Sequence, residues 1–543
     1  MRTFLAVLLV TVITGVVLNI TIDNPRFSNI YEEISNAIKT DNQSLAEKLF
    51  LRELPNRKHD LDFNYRYVVN HFDIPEKTKV GKNSYSYRDD ASIYDYYTQL
   101  STSTDSVEHD LGFYCLGLCD YSKGEYIKAT EDYRRVKNRS MKYLNNSVGN
   151  LFRKWEPEKA IPFYEKEIAL NGNVGSAVHN LSSIYICARN LDCFAELLAN
   201  EQTKGYVSLT KQREYYYLAG MYFGYAKTLW KKFVQSVDRY GFIGALLVAL
   251  IWLFYLRFID VFEREKWYDI AIVFTASAAF TYFSFPLYDM FNLSLGFDLN
   301  GNWLNDLFYC IFGIGLIEEI VKFIPFAIFL VFSKAVNEPI DYVIYACVAA
   351  IGFSFTENII YFQEDSYHIM HGRALASVVG HMCDCSIVAY GFILCKYRSK
   401  SPMFVYVLVG LLLASIVHGL YDFWLINDTV KDFNILAMVV LVSSVIIWNS
   451  IKNNALNNSP FFDQSKKFES ARISQFLFVA LSVVFIFEYI IISLNYGPSV
   501  GNRLLLKSIL SGTFLMIFMV GRLAQFKLRF GVWNRVKIWD SGK

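Results

Sequence analysis

The chain has 543 residues, a formal net charge of +2, 53% apolar and 17% aromatic residues. That length allows more than one domain, and the near-neutral charge, with no basic patch interleaved with aromatics, argues against a nucleic-acid binder. The apolar excess is uneven: it sits in the first 20 residues and from about residue 240 onwards, while 21–235 is polar.

Taken in chain order, residues 3–20 form an apolar run behind Arg2, so 1–20 reads as an N-terminal membrane anchor or signal. The run ends Val17-Leu18-Asn19-Ile20 with no A-x-A site, which favours an uncleaved anchor. In the polar stretch 21–235, Leu116-Gly117, Gly124, Tyr126, Ala129 and Tyr133 resemble the tetratricopeptide helix–turn–helix pattern. Small residues there let two helices cross closely and aromatics fill the groove between them. A second copy runs through Val148-Gly149, Ala160 and Tyr164, a poorer third through Leu181 and Ala195, and a fourth through Leu218. The copies recur at roughly 32–37 residues, near the period of about 34 for such repeats. The resemblance implies a solenoid whose concave face takes a peptide or protein partner.

Nine cysteines show neither a CxxC pair nor zinc-finger spacing. Cys115, Cys119, Cys187 and Cys193 permit two disulfides if the 21–235 domain faces an oxidising compartment. Cys310, Cys347, Cys383, Cys385 and Cys395 lie in apolar runs and read as small buried hydrophobes.

Apolar runs of spanning length follow near 241–257, 268–288, 306–332, 341–362, 374–395, 403–425, 435–450, 474–494 and 505–521. Basic residues alternate between the intervening loops. Arg257, Arg264 and Lys266 follow the first of these spans; Lys396, Arg398 and Lys400 follow another. Lys452, Lys466, Lys467 and Arg472 come after 450, and Arg522, Lys527, Arg529, Arg535 and Lys537 occupy the tail. By the positive-inside rule these loops and the C-terminus are cytoplasmic, and the 21–235 domain is extracytoplasmic. The expected fold class is therefore all-α: a polytopic transmembrane helical bundle of about nine spans plus an N-terminal anchor. An extracytoplasmic helical-repeat domain (21–235) precedes the membrane domain (236–543).

Ionisable groups inside a bilayer cost roughly 2.5–3.5 kcal/mol each, so a cluster of them asks for a reason. Four consecutive spans carry them: Glu318-Glu319-x-x-Lys322, then Glu357-Asn358, then His381 and Asp384 behind Arg373, then His418-x-x-x-Asp422. Lys322 is within helical reach of either glutamate, and His418 and Asp422 share a face. An aspartate accepting the imidazole N–H fixes its tautomer. At about 1.5 Å rise per residue, Glu357, His381 and His418 lie roughly 8–12 Å below the outer ends of their spans, with Glu318 near 18 Å. Those depths are compatible with one cavity open to the extracytoplasmic side. Asp384 is expected to cap or pair with Arg373 or a basic loop, and Asp341, at a helix start, to complement the helix dipole.

Glu-Glu-x-x-Lys, Phe-x-x-x-Glu-Asn, a histidine after an arginine, and His-x-x-x-Asp, in that order over about 257–425, resemble the motif set of the PrsW family. Asp260-x-x-Glu263-x-Glu265 is similar to that family's early loop. The resemblance implies a membrane protease related to the CAAX-prenyl endopeptidase and bacteriocin-processing superfamily. It further implies a bacterial inner membrane and membrane-anchored protein substrates such as anti-sigma factors.

The residue types suit water activation. Glu318 or Glu319 is the expected general base, helped by His381. His418, oriented by Asp422, stabilises the oxyanion or protonates the leaving amine. Lys322 partners the carboxylates, and Glu357 and Asn358 bind water, substrate backbone or a metal. Cys385, four residues after His381, offers a less favoured nucleophile. No cofactor is the preferred expectation, with zinc as the alternative, because two histidines and three carboxylates include a zinc ligand set while H-E-x-x-H is absent. Expected partners are a membrane-anchored protein substrate, a peptide or protein on the repeat domain, and the lipid bilayer, with no nucleic acid. Two competing functions remain: an inactive membrane receptor or scaffold, and an ion-coupled transporter. The second is disfavoured because no paired Gly/Pro-interrupted spans are seen.

Overall fold

In the computed structural model, residues 2–74, 77–79, 85–364, 367–398, 402–427, 429–466 and 469–536 are described. Lys400, Lys467 and Lys537, counted above among the basic loop residues, lie outside them. The chain divides into two compact units: Arg26–Lys232, and Met1–Pro25 with Phe233–Lys543.

Arg26–Lys232 is helical apart from an antiparallel pair of short strands, β1 (Lys77–Lys79) and β2 (Tyr85–Tyr87), with Thr78 opposite Ser86. Its helices follow one another as hairpins, Ser106–Ser122 with Tyr126–Arg135 and Leu144–Arg153 with Pro157–Ala169. A side chain at Gly117 would come within 2.6 Å of the Tyr133 ring, and one at Gly149 within 2.7 Å of Tyr164. Only glycine lets those tyrosines fill the crossing. Between the first two helices Gly124 sits at φ 81°, the left-handed conformation that ends a helix without a Cβ penalty. Buried Glu167 ties the second hairpin together and joins it to the helix that follows, accepting the backbone N–H of Tyr143 (2.7 Å), Asn146 (3.2 Å) and Asn173 (2.7 Å). All nine cysteines are free thiols, so neither of the two disulfides that the sequence permits is formed. Cys115 and Cys119 lie on one buried helix face and pack as apolar core.

The other unit contains the long apolar helices, labelled here α1 (Arg2–Thr21), α2 (Arg239–Ile259), α3 (Trp267–Phe280), α4 (Leu316–Phe332), α5 (Pro339–Glu364), α6 (Val378–Tyr397), α7 (Met403–Ile426), α8 (Ile435–Asn457), α9 (Ser470–Tyr496) and α10 (Pro498–Leu523). Among the described residues nine helical stretches are long and apolar enough to cross a membrane, and the chain is an integral membrane protein. The expected span 306–332 is not one of the nine. It is a continuous helical stretch from Trp303 to Phe332, with a π-helical turn at Tyr309–Gly315, and it falls outside the nine because Glu318, Glu319 and Lys322 load it with charge. Lys452, counted as a loop residue, is instead buried in α8, where its ammonium donates to the carbonyls of Leu523 (3.1 Å) and Gln525 (2.9 Å) at the end of α10. The N-terminal α1 lies along α9 and α10, with Phe4 against Phe478 and Asn19 bonded to Asn502.

Candidate active site

Close backbone approach places the charged residues. A Cβ on Gly419 would lie 2.4 Å from Ile311 Cα, and one on Gly315 would lie 2.7 Å from the Ser415 carbonyl. These two glycines let α7 press directly on the π-helical turn that precedes α4. Irregular turns of this kind shift side chains off the regular helical register and are common at functional sites. The result puts His418, beside Gly419, against Glu318 and Glu319 at the start of α4.

Lys322, fully buried, is the hub. Its ammonium donates to Glu319 Oε1 (2.6 Å) and to His381 Nδ1 (2.8 Å), and lies 3.6 Å from Glu318 Oε2 and 3.5 Å from His418 Nδ1. Because His381 Nδ1 accepts from an ammonium, its proton belongs on Nε2, which donates to Glu357 Oε2 at 3.2 Å. Each nitrogen of His418 faces a carboxylate: Nδ1 is 2.9 Å from Glu319 Oε1, while Nε2 is 3.3 Å from Asp422 Oδ2 and 3.5 Å from Glu318 Oε2. The two imidazole rings lie 5.1 Å apart. Arg373 closes the outer edge, donating to Glu357 Oε2 (2.6 Å) and to Asn358 Oδ1, with its guanidinium 4.2 Å over the Tyr361 ring.

A cavity of about 560 Å³ adjoins this cluster, and Glu318, Glu357, His381, Asp384, His418 and Asp422 all line it. The two adjacent glutamates are thereby distinguished. Glu319 points away from the cavity, held by Lys322 and His418, whereas Glu318 lines it, its Oε2 buried and making no hydrogen bond, with only the longer ion-pair contacts to Lys322 and His418. The other Glu318 oxygen accepts from the Tyr288 hydroxyl at 2.8 Å.

Residues 263–448 match the family model of PrsW family intramembrane metalloproteases. That segment is about a third of the chain and contains every acidic, basic and imidazole group of the cluster. The chain is also similar to Protease PrsW of Clostridioides difficile (strain 630), 26% identical over 234 residues, which cover 42% of this chain and 93% of that protein. No solved structure matches. The PrsW likeness supports an intramembrane protease.

All eight expected site residues are accounted for. Glu318, Glu319, Lys322, Glu357, His381, His418 and Asp422 converge on one locus, while Asn358 is joined to it only through Arg373. Asp384 corrects the expectation that it would pair with Arg373. It is buried inside the cluster, 3.9 Å from His418 Nδ1, and keeps one unpartnered oxygen. Its position three residues after His381, on the same helical face, is the signal that points there. Cys385 lies beside Glu319 Oε2 (3.7 Å) instead of the cavity, which does not favour a thiol nucleophile. Tyr288 was not anticipated, and nothing in its sequence context marks it.

A metal is implied by the PrsW family description. Glu319, His381, Asp384 and His418 each offer a ligand atom, and these four atoms lie within 4.8 Å of one another. Two imidazoles and two carboxylates are zinc ligands in kind. The unpartnered oxygen of Asp384 also fits a group that is still to be coordinated. The donors therefore fit, with one condition: the Lys322 ammonium lies among them and must withdraw if an ion is to take its place.

Proposed function

We propose that this protein is an intramembrane endopeptidase that hydrolyses peptide bonds of membrane-anchored proteins by activating water at the cavity wall. The observation that carries this reading is Glu318. It is a buried carboxylate lining a cavity of about 560 Å³, with Oε2 making no hydrogen bond and His418 Nε2 3.5 Å from it.

In this reading Glu318 takes the proton of the attacking water, and the Tyr288 hydroxyl fixes the carboxylate's orientation. His418, steered by Asp422 and Glu319, delivers a proton to the leaving amine. Lys322 stays with Glu319 and His381 and holds the cluster's net charge down, since burying so many carboxylates unpaired would be strongly unfavourable. Glu357 and Asn358, held by Arg373, bind the substrate backbone or its water.

The candidate metal ligands favour a second version. There Glu319, His381, Asp384 and His418 would hold zinc, which would supply Lewis acidity and a more acidic water. In that version Glu318, fixed by Tyr288, would still take the proton of the water, whereas His418 would be a ligand and no longer the proton donor. The receptor reading is not favoured, because the PrsW likeness lies over the cluster itself. The hairpins of the Arg26–Lys232 unit, with Gly117 under Tyr133 and Gly149 under Tyr164, support a tetratricopeptide-like domain that recruits a peptide or protein on the extracytoplasmic side.

The test is cleavage of a panel of single-pass membrane proteins by the purified full chain in detergent. The parent is compared with Glu318→Gln, Glu357→Gln and His418→Ala, each with and without a strong chelator. Cleavage lost in all three variants but indifferent to chelator supports metal-free water activation. Loss on chelation, restored by zinc, supports the second version. A parent that cuts nothing across a broad panel overturns the protease reading.

A further inference from the structure

The turn that carries Arg373 is irregular. A short helical turn, Met370–Gly372, runs into a π-helical turn, Arg373–Ser377, before α6 begins. Arg373 reaches the site only if this turn is held in place, and the groups that hold it lie outside the segment matched to the PrsW family.

Glu488, in the middle of α9, is buried, yet no Lys or Arg is among its described partners. Its carboxylate accepts the His371 backbone N–H at 2.9 Å, faces His371 Nδ1 at 3.0 Å, and accepts the Ser508 hydroxyl of α10 at 2.8 Å. His371 Nε2 faces the Ser511 hydroxyl at 3.3 Å, and a Cβ on Gly512 would lie 3.1 Å from the His371 ring. From the opposite side, Trp252 of α2 donates its indole N–H to the Ala374 carbonyl at 3.0 Å, a carbonyl within the π-helical turn. Three helices thus fix residues 371 and 374 on either side of Arg373. A carboxylate within a bilayer is costly, which asks for a role, and here its bonds all go to the turn and to α10.

We propose that Glu488, acting through His371, is a positioning residue for Arg373, so that α9 and α10 complete a site whose reacting groups lie in the matched segment. His371 lines the cavity itself, so the anchor also shapes its wall. The proposal rests on the protease reading for its effect on cleavage but not for its structural content.

The experiment uses the full chain in detergent with Glu488→Gln, Trp252→Phe and Arg373→Lys. Glu488→Gln leaves a single acceptor oxygen where the carboxylate has two. Trp252→Phe removes the indole N–H together with part of a fully buried ring's volume, and serves as the second variant if Glu488→Gln fails to fold. The first readout is hydrogen–deuterium exchange. Exchange in peptides covering 370–377 is expected to rise by about tenfold in Glu488→Gln, the scale set by losing bonds to a charged acceptor, and the melting temperature should hold. The second is a double-mutant cycle on cleavage. Glu488→Gln is expected to lower kcat about tenfold alone and to add little in the Arg373→Lys background, since both act through one guanidinium. Unchanged exchange, or losses that multiply independently, overturns the proposal. If the parent cuts nothing, the protease reading falls and the exchange readout alone decides whether Glu488 holds the turn.

Discussion

Gly419→Ala is the sharpest test of how the site is assembled. The added methyl would lie 2.4 Å from Ile311 Cα, 2.6 Å from Ile311 N and 2.7 Å from the Cys310 carbonyl carbon, all backbone atoms with no rotamer to yield. Ordinary carbon contacts are about 3.5–4.0 Å, so α7 and the π-helical turn must separate by about 1 Å. His418 is the preceding residue, and its 2.9 Å contact with Glu319 would stretch beyond hydrogen-bonding range. Overpacking of this kind costs about 1–3 kcal/mol of stability, and a misplacement of that size at a reacting group about a hundredfold in rate. The assay pairs thermal unfolding in detergent with the cleavage rate. Gly521→Ala in α10 is the control, because a Cβ there meets nothing within 4 Å. If Gly419→Ala keeps the parent's rate and melting temperature, close approach of α7 to the π-helical turn is not what brings His418 to Glu319.

Three further outcomes are expected. Tyr288→Phe removes the only hydroxyl donor described for Glu318 and should lower kcat about tenfold with little change in melting temperature, checked by cleavage kinetics. Lys322→Met leaves Glu319 without its cation and should destabilise the membrane unit by about 3–5 kcal/mol. The same substitution should raise the zinc content of protein equilibrated with the metal, because the ammonium and the ion compete for one place; metal analysis showing no increase would refute that competition. The loop that follows α2 should loosen as pH rises. Burial pushes Asp260 up to about 6 and Glu338, at the head of α5, up to about 7, both above their unfolded values. Stabilisation from such groups is complete below about pH 4 and is lost as pH rises through 6 to 7. Exchange over 260–266, corrected for its intrinsic pH dependence, should increase from pH 5.5 to 8, and Asp260→Asn should remove the part of the rise near pH 6 and leave the part near pH 7 that belongs to Glu338.

Much of the membrane architecture is legible in the sequence because bilayer thickness and helical rise leave few choices for an apolar run. The span at 306–332 shows where that logic stops. Hydropathy reports length and apolarity, but not the π-helical turn at Tyr309–Gly315, which depends on Gly315 and Gly419 meeting the backbone of a neighbouring helix. Lys452 fails for a related reason. Read as a loop charge, it is buried because α10 ends beside it with carbonyls to satisfy. The cysteines of the helical unit could be counted but not paired, since pairing depends on which faces of which helices meet.

The site divides along the same line. Glu318 with Lys322, and His418 with Asp422, are separated by one helical turn, so their proximity follows from spacing alone. Contacts between helices do not. Arg373 reaches Glu357 instead of Asp384 because the turn at 370–377 aims it there, and no periodicity encodes that turn. Asp384 follows the same spacing rule that pairs His418 with Asp422, while matching it to the nearby Arg373 gives charge along the sequence precedence over helical phase. Within a bilayer that precedence is misplaced. Every charge there needs a partner, so the informative question is which helical face a charge occupies, and Asp384 shares the face of His381. The same rule applied to α9 singles out Glu488. It is a lone acid in an apolar span with no basic residue one turn away on its own helix, so its partner has to come from another helix, and the structure supplies His371.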